Sequence, residues 1–123
     1  MNTTLPTPGT TIATRAFGPF YTHFGIVSDY GLVIHASKRH GYVVEESISE
    51  FTQGENWWIS NIKGNKSADE VITLARSYIG TPWTLFNLNC EHFVRIAHGL
   101  KKQCNQIRLT VASLLIYIAI GRK

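Results

Sequence analysis

The run "NLNCEHF", residues 87–93, gathers a thiol, an imidazole, a carboxylate and two side-chain amides. Cys90 can act as a nucleophile, as a metal ligand or as a small buried apolar residue, and a single cysteine is most often the last of these. A nucleophilic thiol needs a base, and spacing decides which histidine can serve. His92 is nearest, but residues i and i+2 of a helix point about 200° apart. His92 is therefore a poor base for Cys90 and is expected to make a structural hydrogen bond, together with Glu91.

His23 and His35 suit the task better. They lie in "YTHFGIVS" and "GLVIHAS", two β-type runs joined by the turn signal "SDYG". Strand residues of equal parity share a face. A three-residue loop, either 28–30 or 29–31, preserves that parity across the turn, and a left-handed Gly31 would suit the second choice. Either loop puts both imidazoles on one face, with Gly25 between them leaving room for a ring. Cys90 falls at a helix start, where unpaired N–H groups and the helix dipole stabilise a thiolate. Packing that helix on the hairpin is expected to bring Cys90 to His23 or His35. One ring would accept the thiol proton and the other would orient the first. The bland alternative is a pair of satisfied strand histidines. A Cys/His/His metal site is a further alternative, but nothing supplies an obvious fourth ligand. His40, in "SKRHG", and His98 are expected at the surface. Cys104 lacks a helix-start context and is expected to be structural.

The elements that must position these groups follow from periodicity. "TTIATRA" reads as a short strand ahead of the hairpin, "GYVVEES" as a third β-run after it, and "ENWWISNI" as a fourth. The period then changes. In "SADEVITLARSYIG", Ser67 and Glu70 form a capping box, Val71, Leu74, Ala75 and Tyr78 keep helical spacing, and Gly80 stands where a terminating glycine belongs. A loop containing Pro82 leads to a second helix near Cys90, with Phe93, Val94, Ala97 and Leu100 on its apolar side and Gly99 ending it. Strands first and helices after predict an α+β domain, a small antiparallel sheet packed against helices.

The whole chain sets the frame. Its 123 residues suit one core, and 44% hydrophobic with 16% charged residues is the composition of a folded protein. Two cysteines cannot build a disulfide scaffold, no C-x-x-C pair is present, and the first fourteen residues show no apolar secretory region. These features predict free thiols in a reducing, cytoplasmic setting. The net charge is +4, and after Glu91 every charged residue is basic. A basic C-terminal third fits an anionic surface, either lipid or nucleic acid, with a solvated positive face as the bland alternative. Residues 109–120 are almost wholly apolar, yet as a helix they span about 18 Å, short of the roughly 30 Å of a bilayer core. They are expected to cover the sheet as a core helix or to lie at a membrane interface. The domain reading is a catalytic unit over 1–100 and a basic, hydrophobic tail over 101–123.

Two segments together resemble the lecithin:retinol acyltransferase family. These are "PGTTIATR…YTHFGIVSDYGLVIHAS" and "ARSYIGTPWTLFNLNCEHFV". The similarity runs from about Pro8 to about Gly99 and rests on the NCEHF box joined with two histidines twelve residues apart. It implies a permuted, NlpC-type papain-like fold and a thiol acyltransferase or phospholipase. Carried over by position, Cys90 would be the nucleophile, His23 the general base and then acid, and His35 the orienting third member. Tyr21 and Asn89 would be weaker, oxyanion or supporting residues, with the Cys90 backbone N–H the stronger oxyanion donor. The chain departs from the family pattern at Leu88, where Asn is familiar, at Thr10, where Asp is common, and in a shorter stretch between His35 and Cys90. Retinoid specificity and a swapped dimer therefore do not transfer. The resemblance implies a lipid or other acyl donor as substrate and favours peripheral membrane contact through the tail; no cofactor, metal or nucleic-acid partner is expected. The competing functions are a thiol amidase or peptidase and a non-catalytic binding module.

Overall fold

The computed structural model describes residues 4–16, 21–101 and 107. Five strands form one antiparallel sheet: β1 (Thr11–Ala16), β2 (Tyr21–Val27), β3 (Val33–Ser37), β4 (Tyr42–Glu46) and β5 (Trp57–Ile59), in the order β4-β3-β2-β1-β5. Among the described residues the sheet is accompanied by the helices α1 (Ile48–Thr52), α2 (Ala68–Ser77) and α3 (Cys90–Ala97). The α+β class expected from the sequence is thus observed. Cys104 and residues 109–120 lie outside the described residues, and so does the expected core or interfacial helix.

Alternation along the strands divides the apolar side chains between two faces. Ile26, Ile34, Ala36 and Val43 face α2 and α3, and pack with Val71, Phe93 and others. Ile12, Val27 and Val33 point the other way and pack around Phe51 of α1. This is the period-two rule at work: neighbours in one strand serve opposite cores.

The helix starts are fixed by side-chain caps. The Ser67 hydroxyl accepts from the Glu70 N–H while the Glu70 carboxylate accepts from the Ser67 N–H, the box expected for α2. Ser47 and Glu50 form the same box for α1. Helix α1 is too short for periodicity to reveal, and this S-x-x-E pattern is its only mark in the sequence. No helix among the described residues is long and apolar enough to cross a membrane.

Candidate active site

The hairpin carrying the two histidines closes as the second of the expected loops. Ser28 N–H donates to the Leu32 carbonyl at 2.8 Å, Gly31 N–H to the Ser28 carbonyl at 3.3 Å, and Gly31 sits at φ 72°. Residues 29–31 are therefore the loop, and Ile26 pairs with Ile34 and Val27 with Val33. Parity is preserved. His23 Nε2 lies 2.8 Å from His35 Nδ1, with the rings edge to face at 80°.

The space left by Gly25 has a different occupant from the one expected. A Cβ there would stand 2.5 Å from Val33 Cγ1 and 2.7 Å from Phe51 Cε1. The Phe51 ring fills the gap, and its centroid lies 5.1 Å from that of His23 and 5.0 Å from that of His35. Phe51 is the aromatic floor of the imidazole pair, a role hidden in the sequence because α1 was hidden.

The packing of α3 also corrects an expectation. The helix lies on the sheet face of Ile26 and Ile34, opposite the imidazoles, so laying it on the hairpin does not by itself deliver the thiol to the rings. The strands do part at this end. β2 has seven residues, yet its register with β3 runs only over Ile26–Ile34 and Val27–Val33. Along the length of β2 that pairs with β1 but lies beyond its register with β3, the Cys90 thiol donates to the Thr22 carbonyl, Sγ to O 3.8 Å. Thr22 immediately precedes His23, so the thiol meets the strand backbone one residue before the histidine. Cys90 is 1% exposed.

Asn89 explains the start of α3. It is fully buried, its Oδ1 accepts from the N–H groups of Glu91 and His92 at 3.0 Å each, and its Nδ2 donates to the Leu85 carbonyl. An amide so committed caps the helix that begins at Cys90. His92 Nδ1 accepts from the Asn89 N–H at 3.3 Å, the structural bond expected of it. Tyr21 opens β2 on the parity of His23 and is half-buried. His98 is not at the surface: it is 4% exposed and bonded to Thr11 Oγ1 at 2.8 Å, joining the end of α3 to β1. His40 is part-buried, with Nδ1 2.9 Å from Ser37 Oγ. Among the described residues no group of three or more His, Cys, Asp or Glu is placed to hold a metal ion.

Sequence reasoning missed Glu46. It ends β4, is 8% exposed, and its Oε1 lies 2.8 Å from both His35 Nε2 and Arg39 Nη2. Cross-strand register gives the reason: Val33 pairs with Glu46 and His35 with Val44, so Glu46 and His35 share a face. Glu46 is of opposite parity to His35, and the four-residue turn 38–41 brings it to the same face, so the signal lay in the turn length.

Burial dominates the electrostatics. Desolvation lowers the His23 pKa from 6.5 to about 3, with the neighbouring His35 and Arg39 adding to the effect. His35 is likewise lowered to about 3, by burial and then by Arg39 and His40. Both rings are uncharged at neutral pH. An unfolded chain would protonate them near 6.5. Each therefore binds more protons unfolded than folded between about pH 6.5 and 3, and stability falls as the pH drops through that window. Urea midpoints across this range are expected to fall less steeply for His35→Gln than for the wild type; parallel curves would contradict the buried neutral pair.

A cavity of about 300 Å³ opens beside the imidazoles, walled in part by His23, His35, Phe51, Arg15, Lys38 and Arg39. Cys90 does not line it.

The Cys90 thiol thus stands at the capped start of α3, against the strand that carries His23, and His23 is bonded to His35 within an α+β domain. The chain belongs to the lecithin retinol acyltransferase family, whose model matches residues 5–101. That family points to an enzyme of the acyltransferase kind. A search of curated proteins finds no match.

Proposed function

We propose that the protein is a cysteine-dependent acyltransferase or hydrolase that takes acyl groups from phospholipids through a thioester. One observation carries this reading: the 2.8 Å bond between His23 Nε2 and His35 Nδ1, with the Cys90 thiol on the carbonyl of the residue before His23. The Nε2 of His23 is engaged by His35, which leaves Nδ1 for the thiol. Neutral His23 takes the Cys90 proton as sulfur attacks the ester carbonyl. The backbone N–H of Cys90 holds the oxyanion. The tetrahedral intermediate collapses, the C–O bond breaks, and His23 returns its proton to the leaving alcohol. Water, an amine or an alcohol then attacks the thioester with His23 again as base, and the thiol is restored. His35 orients His23 throughout.

The basic cavity wall supports a phosphate-bearing donor, since Arg15, Lys38 and Arg39 can face a phosphodiester. The sequence beyond residue 101 is basic and apolar, which suits contact with an anionic lipid surface. With Cys90 buried, a substrate carbonyl reaches sulfur only when the surface over it opens.

The test is capture of the intermediate. After a short incubation with labelled phosphatidylcholine and acid quench, the peptide containing Cys90 is expected to carry one acyl mass that hydroxylamine removes. Substrate turnover without label on Cys90, or with label on Cys104 alone, would refute the mechanism.

A further inference from the structure

The imidazole pair does not end at His35. Glu46 Oε1 lies 2.8 Å from His35 Nε2 and 2.8 Å from Arg39 Nη2, and Oε2 lies 3.6 Å from His40 Nε2. A carboxylate this deeply buried is costly unless paired, and the Arg39 guanidinium pairs it. Arg39 itself reaches out of the β3–β4 turn and is 45% exposed, so the chain of contacts runs from solvent to the buried rings.

Proton counting along this chain has one solution. A carboxylate accepts and cannot donate, so the hydrogen between Glu46 and His35 sits on His35 Nε2. A neutral imidazole carries one N–H, so His35 Nδ1 is an acceptor. The hydrogen between the rings therefore sits on His23 Nε2, and His23 Nδ1 is left bare. Without the carboxylate, the reversed arrangement is equally good for the two rings: His35 Nδ1 donates, His23 Nε2 accepts, and His23 Nδ1 holds the proton, where it cannot take another from a thiol.

We propose that Glu46, held by Arg39, is a positioning residue that fixes the tautomer of His35 and through it that of His23, keeping His23 Nδ1 unprotonated. This rests on the reading of His23 as the base for Cys90, but the tautomers themselves do not. Loss of a carboxylate bonded directly to a catalytic histidine costs about 10⁴ in kcat through the wrong tautomer. Here a second ring intervenes, and the expected loss is about 10- to 100-fold. The competing account is that Glu46 only neutralises Arg39 and tethers the turn.

The experiment reads ring nitrogens by ¹⁵N NMR in the full chain, in wild type, Glu46→Gln and Arg39→Gln, each also in a Cys90→Ala background. The wild type is expected to show protonated Nε2 and bare Nδ1 on both rings. Glu46→Gln is expected to show mixed tautomers and to release acyl groups about 10- to 100-fold more slowly with KM little changed. Arg39→Gln keeps the carboxylate, so its nitrogen pattern is expected to stay that of the wild type. A proton on His35 Nδ1 in the wild type overturns the inference, whether or not any variant folds. An unaltered pattern in Glu46→Gln, or an unaltered rate, overturns it as well. Should Glu46→Gln fail to fold, Glu46→Asp retains the charge and is expected to hold the wild-type pattern; mixed tautomers in it would count against the proposal. If Cys90→Ala itself leaves acyl release intact, the proposed function fails while the tautomer result stands.

Discussion

Replacing Cys90 by Ala is expected to reduce acyl release from labelled phosphatidylcholine by about 10⁴-fold or more in kcat. In the proposed mechanism the thiol supplies the electron pair that forms the acyl bond, and no other side chain described near His23 is a comparable nucleophile. The change is small in volume, and exchanging a sulfur for a hydrogen at a site 1% exposed leaves a minor cavity, so folding should survive with a cost of about 1 kcal/mol. His23→Gln should lose about 10²- to 10⁴-fold, the range for a positioned general base. The two losses will not add. Once sulfur is gone there is no proton for His23 to take, so the double variant should be no slower than Cys90→Ala alone. Initial rates, with circular dichroism to confirm folding, decide the matter. Turnover in Cys90→Ala within a few-fold of the wild type would end the nucleophile assignment.

The legible and the hidden parts of this site divide by the range of the physics involved. Local rules read well. Ser67 and Glu70 announced α2, "SDYG" announced a turn with two loops left open, of which Gly31 suited the one observed, and "NCEHF" announced the start of α3, because capping and turn chemistry act within a few residues. Parity along the hairpin correctly joined His23 to His35, since strand alternation does not depend on anything distant. What stayed hidden was set by partners far along the chain. Phe51 reaches the rings from a helix of five residues, which gives no periodic signal. Glu46 enters through the register of β3 with β4, which sequence spacing alone does not fix. His98, with a polar ring at a helix end, looked like a surface residue; burial there depends on Thr11, 87 positions away. The side of the sheet taken by α3 was misjudged because helical periodicity specifies an apolar face of the helix and says nothing of which sheet face receives it.

Phe51→Ala is expected to be the most damaging change that touches no reacting group. Phe51 is 3% exposed, packs with Ile12, Val27 and Val33, and covers both imidazoles and the backbone of Gly25. Deleting a buried phenyl ring costs about 3–5 kcal/mol. For a domain of this size that lowers Tm by about 10 °C or more. A second effect is specific to the site. The largest cause of the depressed histidine pKa values is desolvation by burial, and the Phe51 ring lies against both imidazoles. With the ring gone, water reaches the pair, both pKa values rise from about 3 toward 6.5, and a larger fraction of His23 is protonated at a given pH. A protonated His23 cannot accept the thiol proton, so the acid limb of the pH–rate profile should move upward. Phe51→Leu fills most of the volume and should recover most of the stability while leaving a smaller pKa rise. NMR titration of the histidines at a temperature where each variant is folded separates the two effects. Titration midpoints in Phe51→Ala equal to those of the wild type would show that the ring is core packing alone and that the dry environment of the imidazole pair comes from elsewhere.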